Sequence, residues 1–294
     1  MPIDLRSGRR FRAILAKGPA HLYHLGHARL AQAGQRLLGR WSPAAVDEAA
    51  CLRQLRLPAG APPSDRAAVA RHFRSRAQPA LGPDPGRAAV ILERAEPLAR
   101  SKTLAAAEAV CRGEFHFRGQ PPVVFGERVD WGHCPDGNTD WTWELNRQAY
   151  LATLGRAHAY TGDARYAAAF RRLLRDWLTC NPPGLDAPAW SSALEVACRL
   201  NHWAWAWHFF RAALDDDDLL ACLRGLWLHA RFLAANLEYT SPNNHLLLEA
   251  KALALAGLLF PEFRAARAWR GRGLSVLWRE VRRQVRPDGV HAEL

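Results

Sequence analysis

Long apolar runs are missing from this 294-residue chain. The best candidate, around Ala252–Phe260, falls far short of the ~20 residues that a bilayer-spanning helix needs, which argues against a helical membrane protein. Lysine is nearly absent and stands only at 17, 102 and 251. The six cysteines, at 51, 111, 134, 180, 198 and 222, form no Cys-x-x-Cys pair, so neither a disulfide-dense scaffold nor a zinc ribbon is read. There is no phosphate-cradling glycine loop, no Gly-x-Ser-x-Gly elbow and no His-Glu-x-x-His helix, which removes the usual nucleotide, esterase and zinc-protease readings. Arg9-Arg10-Phe11 has the start of a twin-arginine export signal. The apolar stretch that should follow is interrupted by Lys17-Gly18-Pro19, so no signal peptide is readable.

What is present is a globular composition, 49% hydrophobic and 23% charged, on a chain long enough to bury a sizeable core. The net charge is +12, almost all of it arginine. That excess points to a polyanionic partner: nucleic acid, an anionic membrane surface or an acidic polysaccharide. A genome rich in arginine codons produces the same excess without a partner. Twelve tryptophans accompany it. Indole faces pack on sugar rings as well as on bases, although most tryptophans in a helical protein belong to the core.

Punctuation divides the chain in two. Residues 1–113 form a leading helical region, with patterns near 11–40, 44–55, 66–77 and 88–112 separated by Pro/Gly-rich connectors at 57–63 and 79–86. At 114–131 the period shortens, and Phe115, Phe117, a Gly119-Gln120-Pro121-Pro122 turn and Val123-Val124-Phe125 read as a short β-hairpin or strap. Beyond it helices are expected over 142–160, 164–179, 190–212, 217–236, 244–259 and 262–285, with stops at Gly162, Pro182, Pro242, Pro261 and Pro287. Asp215 to Asp218 suit a helix N-terminus. Glu144, Glu195 and Glu249 recur 51 and 54 residues apart, each near the start of a helix that a returning partner follows. The fold class read from this is all-α: helical hairpins stacked into an open array or into an incomplete α/α toroid, with residues 114–294 as the toroid part.

Three constellations carry candidate chemistry. In Thr240 to Glu249, an Asn caps a helix after Pro242, and His245 and Glu249 share a face. Asn243, Asn244 and His245 offer more polar groups than a cap needs, and donors at a helix N-terminus suit a carboxylate. In Trp141 to Arg147, Glu144 and Arg147 are spaced for an ion pair, and beside Trp143 the guanidinium is also placed to clamp an acidic sugar. In Trp190 to Arg199, Glu195 and Arg199 stand four apart in an apolar helix, as a buried pair or as ligand contacts. His202, among Trp203, Trp205 and Trp207, reads as a lining residue in a core helix. His21, His24 and His27 read as a solvated face and not as a metal site.

The order of these segments resembles the N-terminal toroid of the heparinase II/III-like polysaccharide lyases, a family with related alginate lyases. The residues that carry it run from about Phe115 onward: Trp143-Glu144-Leu145-Asn146-Arg147, Tyr160-Thr161-Gly162-Asp163, Trp190-Ser191-Ser192 with Leu194-Glu195 and Arg199, Asn236-Leu237-Glu238, Asn243-Asn244-His245 with Glu249, and Asp288-Gly289-Val290-His291 with Glu293. The resemblance implies an incomplete α/α toroid of antiparallel helical hairpins that binds a uronate-containing acidic polysaccharide and cleaves it by β-elimination. Asn244 then neutralises the uronate carboxylate, with His245 assisting or acting as base. Trp143, Glu144, Asn146, Arg147, Glu195, Arg199, Asn243 and Glu249 are the substrate-binding candidates. No metal and no cofactor is called for.

The family's catalytic Tyr follows the Asp288–Glu293 segment and has no counterpart in this sequence, nor has the C-terminal β-sandwich. Little turnover is therefore expected of this chain by itself, and a second chain carrying the C-terminal part is one way to complete it. A non-catalytic polysaccharide-binding module and a basic helical scaffold for nucleic acid are the alternatives. The resemblance implies a periplasmic location; the unreadable signal peptide leaves a cytoplasmic one open.

Overall fold

The computed structural model describes residues 32–35, 39–57, 62, 64–77, 81, 97–117, 119–184, 187–239 and 243–292. The expected helical positions 11–31 and 88–96, and His21, His24 and His27, lie outside this set, as do Thr240 to Pro242 and Glu293. The pattern at 44–55 becomes two short helices, α1 (Pro43–Val46) and α2 (Glu48–Leu52). Asp47 between them is extended, and its carboxylate accepts from the Ala50 N–H at 2.6 Å, which starts a new helix. α3 (Arg66–Ser75) and α4 (Pro97–Cys111) follow. β1 (Glu114–Phe115) and β2 (Val123–Val124) then pair antiparallel, Glu114 opposite Val124, as the short β-hairpin expected there. Gly113 enters this hairpin at φ 74°, and a Cβ on it would lie 2.2 Å from the Gly126 carbonyl oxygen, so the crossing of the two backbones requires glycine.

The rest is helical. A short α5 (Thr139–Arg147) precedes three hairpins: α6 (Tyr150–Thr161) with α7 (Ala164–Cys180), α8 (Ala193–Phe210) with α9 (Asp216–Asn236), and α10 (Asn244–Leu259) with α11 (Ala266–Gln284). Caps set their starts. Asp163, Ser192, Asp215 and Asn243 each accept a backbone N–H from the first turn of the helix they open, and Gly162, at φ 70°, closes α6. α8 packs against α6 on one side and α10 on the other, while α9 lies against α8 and touches α7 and α10. The result is an inner row of α6, α8 and α10 backed by their returning partners, an incomplete α/α toroid of antiparallel hairpins. α10 and α11 meet backbone to backbone: a Cβ on Gly273 would lie 2.5 Å from the Ala254 nitrogen and 2.6 Å from the Ala250 oxygen.

A second helix is also interrupted. The helix read over 142–160 breaks at Gln148, which takes a left-handed backbone at φ 59°. Glutamine seldom adopts that conformation, and tertiary contacts hold it there. Its buried side chain accepts from Trp203 Nε1 at 2.5 Å. The carbonyls that the break releases all find donors: Leu145 from the Tyr150 hydroxyl at 3.0 Å, Asn146 from Arg199 Nη1 at 3.1 Å, and Arg147 from His202 Nδ1 at 2.7 Å.

The leading helices share the core of the hairpins. Phe73 of α3 meets Trp207 edge-on, with ring centres 5.8 Å apart, and Leu55 bridges Phe263. Trp141, Trp177, Trp190, Trp203 and Trp207 are fully buried, whereas Trp143 and Trp278 are exposed.

Candidate functional site

The break at Gln148 ends α5 beside the start of α8, and this brings two of the sequence constellations together. Arg147 donates from Nε and Nη2 to the two Glu195 oxygens, at 2.9 and 2.8 Å, and from Nη1 to Glu144 at 2.5 Å. Burial works against the guanidinium charge, but the Glu195 pair outweighs it and raises the Arg147 pKa. The carboxylate-binding edge of Arg147 is thus already occupied from within the protein. Trp143, 45% exposed and on the same short helix, leaves its indole to solvent.

Polar contacts continue from the start of α8 to the start of α10. Ser192 accepts from the Glu195 N–H at 3.4 Å. The next residue, Ala193, donates its N–H to Glu238 Oε1 at 3.2 Å, a carboxylate seated at a helix N-terminus. Glu238 Oε2 lies 3.5 Å from His245 Nδ1, and the Glu238 N–H donates to Glu249 Oε2 at 2.8 Å. Asn243 caps α10 by accepting from the His245 N–H at 3.0 Å. Asn244 is exposed in the first turn, and His245 is partly so. The mouth therefore combines the end of α5 with the starts of α8 and α10.

Two of the sequence pairings are replaced by other partners. His245 and Glu249 do not pair along their helix; each meets Glu238 instead. Glu195 does not pair with Arg199 but with Arg147. Glu249 is fully buried, so it cannot touch a ligand directly in this arrangement.

Arg199 and Asn146 are likewise inside. Arg199 is fully buried, its guanidinium carbon 4.4 Å from the centre of the Trp177 ring, and it donates to His229 Nε2 at 2.8 Å, to the Asn146 carbonyl and to the Ala189 carbonyl at 2.6 Å. Burial lowers its pKa. Burial and then the Arg199 charge push His229 well below its ordinary pKa, so its ring is neutral. Its Nδ1 donates to the Gly225 carbonyl at 2.6 Å and its Nε2 accepts from Arg199, which fixes the tautomer. Asn146 donates to the Trp131 and Thr142 carbonyls at 2.9 and 3.0 Å and accepts from Trp177 Nε1 at 3.0 Å. These two side chains fasten the loops of the mouth and do not line it.

Glu238, which belongs to the Asn236-Leu237-Glu238 segment of the resemblance but carried no site role there, sits at the centre of the mouth. It lies in a linker after α9, and only its three-dimensional position between two helix starts gives it meaning. His202 donates from Nδ1 to Arg147, and burial lowers its pKa, with the backbone hydrogen bond opposing the shift. Next to Glu144 opens a cleft of about 500 Å³, floored by Phe115, Phe117 and Tyr150 and edged by Glu114 and His116. Among the described residues no group of three His, Cys, Asp or Glu is placed to hold a metal ion, and no helix is long and apolar enough to cross a membrane.

The chain is 30% identical over 210 residues to a heparin-sulfate lyase of Bacteroides stercoris, covering 64% of this chain and 31% of that protein. It is 31% identical over 176 residues to a heparin-sulfate lyase of Pedobacter heparinus, covering 58% of this chain and 26% of that protein. The chain thus spans about a third or less of the length of these relatives. Among solved structures, a mutant of the heparan sulfate lyase HepC of Pedobacter heparinus matches with a TM-score of 0.58 at 27% identity, over 64% of this chain and 30% of that one. HepC itself shares the fold, with a TM-score of 0.65 at 21% identity, over 82% of this chain and 40% of that one. The family model described as Heparinase II/III N-terminus matches residues 60–294, and the chain belongs to that family.

Proposed function

We propose that the mouth formed by α5, α8 and α10 binds a uronate-containing acidic polysaccharide of the heparan sulfate class, and that this chain supplies the carboxylate-neutralising part of a lyase reaction. The observation that carries the proposal is the placement of Asn244 and His245 in the first turn of α10, tied through Glu238 to the start of α8 and onward to Arg147. The similarity to heparin-sulfate lyases supports it.

The chemistry asks for such groups. In β-elimination a base removes the C5 proton of the uronate, the C4–C5 double bond forms, and the O4 leaving group takes a proton. The C5 proton is weakly acidic while the adjacent carboxylate keeps its full charge. A hydrogen-bond donor on that carboxylate stabilises the enolate-like charge that develops as the proton leaves. Asn244 serves as that donor, supported by the positive end of the α10 dipole. His245, held toward Glu238, assists the neutralisation or accepts the proton. Trp143 offers an exposed face to a sugar ring.

The test is calorimetric binding of a size-defined heparan sulfate oligosaccharide to the whole chain, with absorbance of the unsaturated product followed in parallel. Asn244→Ala is expected to weaken binding by about tenfold, the equivalent of one charge-assisted hydrogen bond. Failure to bind at low ionic strength, or binding that ignores Asn244→Ala and Trp143→Ala alike, overturns the proposal.

A further inference from the structure

The buried end of the mouth holds a carboxyl group with no direct part in neutralising the uronate. Glu249 is fully buried one turn into α10. Its Oε2 accepts from the Glu238 N–H, and its Oε1 has no hydrogen-bond partner. Glu238 is thereby held by its backbone from one side, while its own carboxylate reaches the Ala193 N–H and faces His245. We infer that Glu249 is a positioning residue, which in its protonated form anchors the backbone of Glu238 so that the Glu238 carboxylate is presented to His245 and to the start of α8. The inference rests on the proposed role of His245 for its catalytic meaning but not for its geometry.

The protonated form follows from the surroundings. An ionised carboxylate with one bare, buried oxygen and a second carboxylate as its neighbour is heavily disfavoured. Burial first, and then the Glu238 charge, push Glu249 up to about 8, against the opposing pull of the Glu238 N–H. The elements packed on α10 carry further charged and titratable groups, among them Glu195, Arg199 and His202 on α8, His229 and Arg231 on α9, and Arg270, Arg272 and Glu280 on α11, while Lys251 lies on α10 itself. None of these acts appreciably on Glu249; the charge that does is that of Glu238. When the Glu249 proton passes to solvent, two carboxylates joined by one backbone hydrogen bond repel each other. Glu238 then turns away, and His245 loses its partner.

The experiment is an NMR titration of the His245 ring in the full chain from pH 5.5 to 9.5, which needs no ligand. In the wild type the His245 ring signals are expected to show an inflection near pH 8, reporting Glu249. In Glu249→Gln, which keeps an acceptor for the Glu238 N–H and cannot ionise, that inflection disappears. In Glu238→Gln, the inflection weakens or moves to lower pH, because the neighbouring charge is gone. A wild-type His245 curve with no inflection between pH 7 and 9 overturns the inference without recourse to any variant. An inflection that persists in Glu249→Gln does the same. Loss of oligosaccharide binding with the inflection near pH 8 intact would instead count against the proposed function.

Discussion

Arg147 and Glu195 form a two-point ion pair, Nε to Oε2 at 2.9 Å and Nη2 to Oε1 at 2.8 Å, across 48 residues of sequence. The pair locks the end of α5 onto the start of α8 and fills the guanidinium edge that would otherwise receive an acidic sugar. Glu195→Gln weakens this internal competitor. It is expected to strengthen binding of a heparan sulfate oligosaccharide by about fivefold, roughly 1 kcal/mol, with a steeper loss on adding salt. Calorimetry at two ionic strengths reads both effects. Unchanged or weaker binding would mean that Arg147 serves only the protein.

The two exposed tryptophans offer an internal comparison. Trp143→Ala is expected to weaken oligosaccharide binding by about 1 kcal/mol, the scale of one aromatic contact. Trp278→Ala, on the surface of α11, is expected to leave binding unchanged. Equal losses in both variants would point to a diffuse surface interaction instead of a site.

Arg199 is expected to matter for stability more than for recognition. Arg199→Ala leaves His229 Nε2 and the Asn146 and Ala189 carbonyls without their donor and opens a cavity between Trp177 and Trp190. The expected cost is about 3–5 kcal/mol, read by urea unfolding. Arg199→Lys should recover little of it, because an ammonium cannot reach three acceptors in one plane. A variant that unfolds like the wild type yet fails to bind the oligosaccharide would return Arg199 to the ligand-binding set.

Glu249 makes a signed prediction about pH. Its folded-state pKa of about 8 lies above the ordinary value of 4.5, so the folded form holds the proton more tightly. Its contribution to stability is complete below pH 4.5 and is lost as the pH rises toward about 8, with no further change above. Glu249→Gln should remove that slope and leave the protein more stable than wild type at pH 8, by up to about 4 kcal/mol. Parallel unfolding curves for the two proteins from pH 5 to 9 would show that the carboxyl ionises normally in the fold.

Two glycines of α11 are expected to respond in opposite directions to the same change. Gly271 has open space where a Cβ would go, so Gly271→Ala should raise stability by about 0.5–1 kcal/mol through helix propensity. Gly273 lies against the α10 backbone, and Gly273→Ala should lower stability by about 2 kcal/mol or more despite the same propensity gain. Thermal melts of the pair measure the contact between the two helices directly.

The helical hairpins were legible in the sequence because local chemistry writes their ends: Gly162 in the left-handed region and Asp163, Ser192, Asp215 and Asn243 as caps act within a few residues of themselves. The break at Gln148 was not legible. Nothing nearby demands it, and its support comes from Trp203, Arg199 and His202, all more than fifty residues on. The candidate site divides the same way. Glu144 with Arg147 is a pair within one helix, and it forms as its spacing implies. Glu195 with Arg199 and His245 with Glu249 have equally good spacing, but other partners, on other helices for the first pair and in the linker after α9 for the second, reach each of them. Helical spacing reports which side chains share a face and not which neighbour is better solvated or better aligned. Glu238, the residue that joins them, left no periodic trace at all.

The Arg199 guanidinium also bears on the order in which the chain can fold. It gathers α5, the turn at Pro188–Trp190 and α9, and any two of these without the third leave a desolvated positive charge with an empty acceptor position. Partial docking is therefore uphill, and the three segments are expected to close together in one late, cooperative step. The mouth of the toroid would then be absent from partly folded states in which the outer helices have already formed.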